Sequence, residues 1–250
     1  MAPTIHLVRH AQGYHNLSVE NEQLPDPDLT PFGLEQCSEL KASFPYHAQL
    51  RRIVSSPLRR TLHTSINVFG RDDLYPITPL ETLQEVSTSP CDTGSNVDLL
   101  RKEFGDKVDF RNLSNTWESK GRSGPNQPDL GKLEARARQA RQTLRQMAGE
   151  DNDDHIVVVT HGDYLHWLTE DWQGVPELDF YVWKNCEYRS YQFDPAPDPS
   201  GNSGLLETET SWNRRMGKKE RPTMQQQDRW RTETYSKLRP LYAAMSENLN

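Results

Sequence analysis

The sequence has little of what marks a secreted, membrane-spanning or nucleic-acid-binding protein. Its three cysteines, Cys37, Cys91 and Cys186, are odd in number and widely spaced, which argues against a disulfide framework and favours reduced thiols. No apolar run approaches the roughly 20 residues of a membrane span, and the chain does not open with the pattern of a signal peptide. Lys and Arg (29) are outnumbered by Asp and Glu (36), so the basic surface that nucleic acid requires is missing. We therefore expect a protein of the cytoplasm, with the nucleus as a second compartment, that is not secreted and binds neither membrane nor nucleic acid.

Common signatures of metal and nucleotide binding are missing as well. There is no Cys-x-x-Cys or His-Glu-x-x-His to hold zinc, no Gly-x-Gly-x-x-Gly turn and no phosphate-binding Gly-Lys-Ser/Thr loop. We therefore expect no metal and no cofactor. Because the net charge is −7, any site for an anionic ligand must be a local basic pocket in an acidic surface.

Strand-like and helix-like segments alternate along the first part of the chain. Apolar runs at 5–8, within 50–55 and at 156–159 predict buried strands. Thr30-Pro31 and Ser56-Pro57 each combine a capping side chain with a proline, which is typical of a helix start. This alternation predicts an α/β fold: a three-layer αβα sandwich with a mostly parallel central sheet and helices on both faces.

Composition and periodicity predict further helices and strands in the remainder of the chain, with an irregular insertion between them. Helices are predicted near 96–104 and over 129–148, one or two strands within 181–193, and a C-terminal helix from Pro222 that is broken near Pro240. We expect one domain over residues 1–193, in which an irregular insertion at about 86–128 forms a lid or pocket wall. Residues 194–250 would be a linker and a helical extension that packs on the same domain.

Charged and polar residues follow the predicted strands where each strand ends. Arg9 and His10 close the first strand, residues 55–61 join the second strand to its helix, Glu85 follows a third, and His161 closes the valine-rich strand. The carboxyl ends of parallel strands share one edge of a sheet, so these side chains can converge. Arg offers a planar fork of donors to phosphate oxygens, and a neutral imidazole can attack phosphorus near pH 7. The pattern predicts a phosphate site that contains a nucleophile.

The motifs at these positions resemble those of the histidine phosphatase superfamily, in its phosphoglycerate mutase-like branch. Over roughly two-thirds of the chain, from Thr4 to about Leu168, five motifs occur in the family's order. They are Arg9-His10-Ala11 with Ala for the usual Gly, Asn16, Leu29-Thr30 with Gly33 and Gln36, Ser56-Pro57-Leu58 with Arg60, and Thr160-His161-Gly162.

The resemblance implies a role for each matched residue. His10 would be the nucleophile that forms a phosphohistidine, while Arg9, Arg60 and His161 would hold the three phosphoryl oxygens. Asn16 and Gly162 would complete the set of phosphate- and substrate-binding residues. Glu85 would be the general acid that protonates the leaving alcohol. No metal is required, because two arginines and a histidine supply the positive charge.

Several assignments have competitors. Arg59 neighbours Arg60, although only Arg60 has the motif spacing. Glu81 and Asp163 compete with Glu85 for the acid. A more distant branch, the histidine acid phosphatases, places its acid directly after the second histidine, whereas here Gly162 intervenes.

The resemblance implies a metal-independent phosphomonoester hydrolase that acts on a small phosphorylated metabolite. Two alternatives stay open: phosphoryl transfer as in phosphoglycerate mutases, and a non-catalytic relative that binds a phosphorylated ligand. Mutases of the family carry Arg-His-Tyr-Gly after the acid, whereas this chain reads Val86-Ser87-Thr88-Ser89, which favours hydrolysis. The substrate alcohol and the oligomeric state cannot be inferred from the sequence. His15 and His166 are expected to be pocket-wall or structural residues.

Overall fold

A six-stranded sheet forms the centre of the protein in the computed structural model, which describes residues 2–121, 126–149, 153–177, 183–196 and 201–247. The strand order is β3-β2-β4-β1-β5-β6. The first four strands in this order run parallel to one another, β5 is antiparallel to β1, and β6 is antiparallel to β5. The strands are β1 Thr4–Arg9, β2 Leu50–Ser55, β3 Thr78–Pro79, β4 His155–Thr160, β5 Tyr188–Phe193 and β6 Leu205–Glu207.

Helices cover both faces of this sheet. Alternate residues of β4 enter two different hydrophobic clusters, because successive side chains of a strand point to opposite faces. Ile156 and Val158 pack with α4, α5 and α7, whereas Val157 and Val159 pack with α1, α2 and α3. The predicted three-layer αβα fold with a mostly parallel sheet is thus confirmed. The helices are α1 Pro31–Ser43, α2 Arg59–Phe69, α3 Val97–Phe104, α4 Leu130–Ala148, α5 Gly162–Thr169, α6 Glu209–Met216 and α7 Met224–Glu247.

The register of the parallel strands brings their carboxyl ends together. Arg9 lies opposite Thr160, and Ser55 lies opposite Val159. The pairing continues one residue further, where the amide of His10 donates to the Thr160 carbonyl at 3.0 Å and the amide of Ser56 donates to the Val159 carbonyl at 2.9 Å. The segments that follow β1, β2 and β4 therefore leave the sheet side by side.

Of the two helix starts predicted from a capping side chain and a proline, one is observed and one is not. Thr30 caps α1 as expected, since its Oγ1 accepts from the Gly33 amide at 3.0 Å. The start of α2 at Ser56-Pro57 was wrong: Leu58 is still extended and the helix begins at Arg59. The Ser56 hydroxyl contacts His161 instead of capping a helix.

The C-terminal part is more ordered than composition suggests. The helix α7 continues through Pro240, so the predicted break was wrong; buried Leu238 and Tyr242 anchor it on both sides of the proline. Within residues 194–250, β6 pairs with β5, and α6 follows. Of the strands predicted in 181–193, β5 is observed, and residues 181 and 182 lie outside the described residues. The division into 1–193 and 194–250 stays a prediction. In the described part of the chain, no helix is long and apolar enough to cross a membrane.

Buried His6 and partly buried His155 connect β1 to its neighbouring strands. The ring of His6 contacts the Ser190 hydroxyl through Nδ1 and His155 Nδ1 through Nε2, each at 2.9 Å. Burial, with smaller effects from His155 and Arg214, lowers the pKa of His6 to about 3. Since an unfolded histidine has a pKa of about 6.5, the unfolded chain takes up a proton between these values before the folded one does.

We therefore expect the contribution of neutral His6 to the free energy of unfolding to be fully present above about pH 6.5. This contribution should be lost as the pH drops towards 3. His6→Gln keeps hydrogen-bonding capacity but removes the titration, so between pH 7 and pH 4.5 it should lose about 2 kcal/mol less unfolding free energy than the wild type. Urea denaturation at a series of pH values measures this. Identical pH dependence in both proteins would contradict the buried, neutral state of His6.

Candidate active site

The ring of His10 is held in one tautomer directly after β1. Its Nδ1 lies 2.7 Å from the Ala11 carbonyl oxygen, which can only accept, so Nδ1 carries the proton. The lone pair is therefore on Nε2, to which Arg60 Nε donates at 3.3 Å. Burial and the adjacent Arg60 charge keep the pKa of His10 well below its usual value. His10 is thus a neutral imidazole at pH 7 whose lone pair lies on Nε2.

Arg60 is presented to His10 by the first turn of α2 and is 1% exposed. Its Nη1 donates to the Cys91 carbonyl at 2.5 Å and its Nη2 donates to Asp92 Oδ1 at 2.8 Å. Arg59 points elsewhere and pairs with Glu103 and Asp28 in a half-exposed cluster. Of the two neighbouring arginines, Arg60 is the one that contacts His10.

His161 follows β4 and its ring centroid lies 5.3 Å from that of His10. Its Nε2 is 2.8 Å from Ser56 Oγ, and that hydroxyl oxygen also accepts from the Leu58 amide at 3.4 Å. Ser56 can then donate its own proton to Nε2, which leaves the histidine proton on Nδ1. Among the described residues Nδ1 has no hydrogen-bond partner, although it is buried. In that tautomer Nδ1–H is a buried donor beside the ring of His10.

Arg9 and Gly162 pack together at the ends of β1 and α5. The guanidinium of Arg9 is buried and donates from Nη1 to the Trp183 carbonyl at 2.5 Å. A Cβ on Gly162 would lie 3.1 Å from Arg9 Nε, so a side chain there would press on the guanidinium. The glycine at 162 allows this close approach, and its predicted role in binding phosphate stays a prediction.

Asn16 lies in the turn after His10. Its Oδ1 accepts from the Gly13 amide at 3.1 Å and from Asn185 Nδ2 at 3.5 Å. Asn185 also donates to the His10 carbonyl at 3.0 Å. The contacts of the Asn16 oxygen therefore brace the turn that carries His10, and its predicted role in binding substrate stays a prediction.

Two carboxyl groups share the start of α5. Glu85 accepts from the amides of Tyr164 at 3.0 Å and Asp163 at 3.4 Å. Burial first, and then the negative charge of Asp92, raise the pKa of Glu85. Burial and the neighbouring Glu85 raise the pKa of Asp163 well above its usual value. Such a pair retains a proton at higher pH than an isolated carboxyl, so Glu85 and Asp163 both remain candidates for the acid.

The remaining sequence candidates lie at the edge of this cluster or outside it. The ring of His15 stands 5.3 Å from that of His10, and burial together with Arg60 lowers its pKa to about 3. His166 Nδ1 donates to the Asp171 carbonyl at 2.8 Å, a structural contact at the other end of α5. Glu81 is half-buried in a short 3-10 turn that precedes Glu85.

Sequence reasoning did not single out Asp92 and Lys120, and it read Ser56 as a helix cap. Ser87 Oγ donates to Asp92 Oδ2 at 2.5 Å, and Lys120 Nζ donates to the carbonyls of Glu85 and Ser87. Burial lowers the pKa of Lys120 to about 8. Ser56 stands in a matched motif that could have identified it, whereas an acid and a lysine in an irregular insertion carry no spacing signal.

One grouping in the described ranges has ligand atoms close enough to hold a metal ion: Asp28, His63 and Glu103. Both carboxylates already pair with Arg59, at 3.0 and 2.8 Å. A resident guanidinium therefore neutralises the charge that would attract a cation, and the grouping is half-exposed rather than part of the His10 cluster.

Taken together, these residues place two arginine cations near the lone pair of the His10 imidazole. Arg9, Arg60 and the Nδ1–H of His161 offer donors, and the carboxyl pair offers a proton. These are the groups that transfer of a phosphoryl group requires when no metal takes part.

Known proteins are similar to this chain in sequence and in fold. A family model described as histidine phosphatase superfamily (branch 1) matches residues 5–197. Phosphoglycerate mutase-like protein 1 of Arabidopsis thaliana is 38% identical over 90 residues, which are 31% of this chain and 32% of that protein. Phosphoglycerate mutase-like protein 2 of the same plant is 44% identical over 77 residues, 27% of this chain and 22% of that one. The chain thus spans about a third or less of the length of the curated relatives it matches.

Among solved structures, Bacillus stearothermophilus YhfR has the same fold. Its TM-score is 0.52 at 19% sequence identity, and the superposition covers 82% of this chain and 95% of YhfR.

Proposed function

Since the chain belongs to the histidine phosphatase superfamily (branch 1), we propose that it is a metal-independent phosphomonoester hydrolase that acts on a small phosphorylated metabolite. The observation that carries the proposal is the state of His10. Its Nδ1 is hydrogen-bonded to the Ala11 carbonyl, and its Nε2 lone pair accepts from Arg60 Nε. The pKa of His10 is lowered, which keeps the ring neutral.

The reaction would proceed in two displacements. His10 Nε2 attacks phosphorus, the bond to the ester oxygen breaks, and the Glu85–Asp163 pair gives its proton to the leaving alcohol. Water then attacks the phosphohistidine, the P–N bond breaks, and the same pair takes up a proton from the water. Arg9, Arg60 and His161 stabilise the charge on the phosphoryl oxygens in both steps.

The burial of the cluster supports a small substrate. His10 and Arg60 are each 1% exposed and His161 is fully buried, so a phosphate on a protein surface would have difficulty reaching Nε2. Hydrolysis is favoured over mutase-type transfer because Val86-Ser87-Thr88-Ser89 follows Glu85, without the basic pair that would hold a second phosphate. The cytoplasm is the expected compartment of the substrate.

Removing the imidazole tests the proposal. The purified protein should release phosphate from members of a panel of small phosphomonoesters in excess EDTA. His10→Ala should lower this turnover by at least ~10⁴-fold, because no other group replaces a covalent nucleophile. His15→Ala removes a neighbouring buried histidine and should retain measurable turnover. An active His10→Ala protein, or a wild type that hydrolyses none of the panel, would overturn the proposed function.

The identity of the acid is tested by the leaving group. If Glu85 is the acid, Glu85→Gln should reduce hydrolysis of alkyl phosphates by roughly 10²–10⁴-fold. The loss on p-nitrophenyl phosphate should be much smaller, because p-nitrophenolate leaves without protonation. Asp163→Asn is the matched control and should show no such dependence on the leaving group. The opposite behaviour of the two variants would assign the proton donor to Asp163.

A further inference from the structure

We propose that Asp92 is a positioning residue for the reaction at His10, and that it holds the Arg60 guanidinium in the orientation that serves the nucleophile. This role rests on the proposed phosphatase function. Asp92 lies in the irregular insertion, in a short 3-10 turn (Pro90–Asp92), and matches none of the family motifs quoted above.

The donors of Arg60 show how the orientation arises. A guanidinium has five N–H groups in a rigid plane. The Nε–H is directed at His10 Nε2, while one hydrogen on Nη1 goes to the Cys91 carbonyl and one on Nη2 goes to Asp92 Oδ1. One hydrogen on each terminal nitrogen is then left for a phosphoryl oxygen. Contacts on both terminal nitrogens therefore fix the plane of the guanidinium beside His10.

Asp92 is itself fixed and ionised. Ser87 Oγ donates to Oδ2 at 2.5 Å, so each carboxylate oxygen has its own donor. The side chain is 9% exposed and that of Arg60 is 1% exposed. Burial would raise the pKa of Asp92, but Arg60, Lys120 and the Ser87 hydroxyl outweigh it and lower that pKa. The Arg60–Asp92 contact is therefore a buried ion pair, and such pairs are costly to break by removing one partner.

The charge of Asp92 also reaches the acid pair. It raises the pKa of both Glu85 and Asp163, because a nearby negative charge disfavours ionisation. Removing that charge should let the pair lose its proton at lower pH. The other charged or titratable groups that face the pair are not substituted in this test: Arg9 on β1, Glu22 after β1, Arg60 on α2, Lys120 in the insertion, Arg136 on α4 and Tyr242 on α7.

Asp92→Asn tests this role, since it keeps the size of the side chain and removes the charge. With an alkyl phosphate, kcat should fall by about 10²-fold, the usual cost of a misplaced group, with a smaller change in KM. The basic limb of the pH profile of kcat/KM should move to lower pH by about half a unit or more.

Asp26→Asn is the matched control. Asp26 is also buried and pins the same insertion, because its carboxylate accepts from the Ser95 amide at 2.8 Å and from the Arg59 amide at 3.0 Å. The hydrogen bonds of the Arg60 guanidinium go to His10, Cys91 and Asp92, so substitution of Asp26 should loosen the insertion and leave the basic limb in place.

The kinetics of the Asp92→Asn and Asp26→Asn variants distinguish the possible outcomes. A shifted limb and lowered kcat in Asp92→Asn, with an unshifted limb in Asp26→Asn, support the positioning role. Wild-type kinetics in Asp92→Asn, or equal shifts in both variants, overturn it while the phosphatase function stands. An inactive wild type overturns the function and this role with it. If Asp92→Asn does not fold, Ser87→Ala replaces it, because this variant keeps the charges of Asp92 and Arg60 but removes the hydrogen bond to Asp92 Oδ2. Ser87→Ala should also lower kcat, and an unchanged kcat in this variant overturns the role.

Discussion

The hydrogen bond between His10 Nδ1 and the Ala11 carbonyl is the interaction on which the site depends. It assigns the proton to one ring nitrogen and leaves the lone pair on the other, next to Arg60. The bond exists because the chain turns directly after β1, where the His10 amide still pairs with Thr160 of β4. The parallel register of β1, β4 and β2 then places His161 and Ser56 beside the same ring.

Burial gives the cluster its charge states. Two histidines that would titrate near neutrality in water are kept neutral, since their surroundings are closed to solvent and already contain arginines. Burial raises the pKa of the two carboxyl groups at the start of α5 and so favours their protonated forms. The site therefore combines a neutral His10, fixed arginine cations and two carboxyl groups with raised pKa values, and the Asp92 carboxylate pairs with Arg60.

Much of this could be predicted from the sequence, and the limits have physical causes. Arg9, His10 and His161 follow strands whose apolar runs are unmistakable, and parallel strands end at one edge, so their convergence was predictable. Ser56 was interpreted as a helix cap because a serine before a proline has that signature; only the fold reveals that its hydroxyl faces His161, 105 residues away. The ion pair of Arg60 with Asp92 spans 32 residues and has no periodicity or motif to announce it. The strand β6 has three residues, too few to show an alternating pattern. Helix α7 continues through Pro240 because buried side chains anchor it, and helix propensity does not take such tertiary contacts into account.

The central claim is that His10 Nε2 receives the phosphoryl group, and the phosphoryl-enzyme itself tests it most directly. Enzyme labelled with ¹⁵N at histidine would be mixed with substrate, quenched in alkali and proteolysed, and the phosphopeptide examined by ³¹P and ¹⁵N NMR. We predict one phosphohistidine, at residue 10, with phosphorus bonded to Nε2, because Nδ1 is occupied by its bond to Ala11. Phosphorus on Nδ1, on another side chain, or no phosphoryl-enzyme during active hydrolysis would contradict this account.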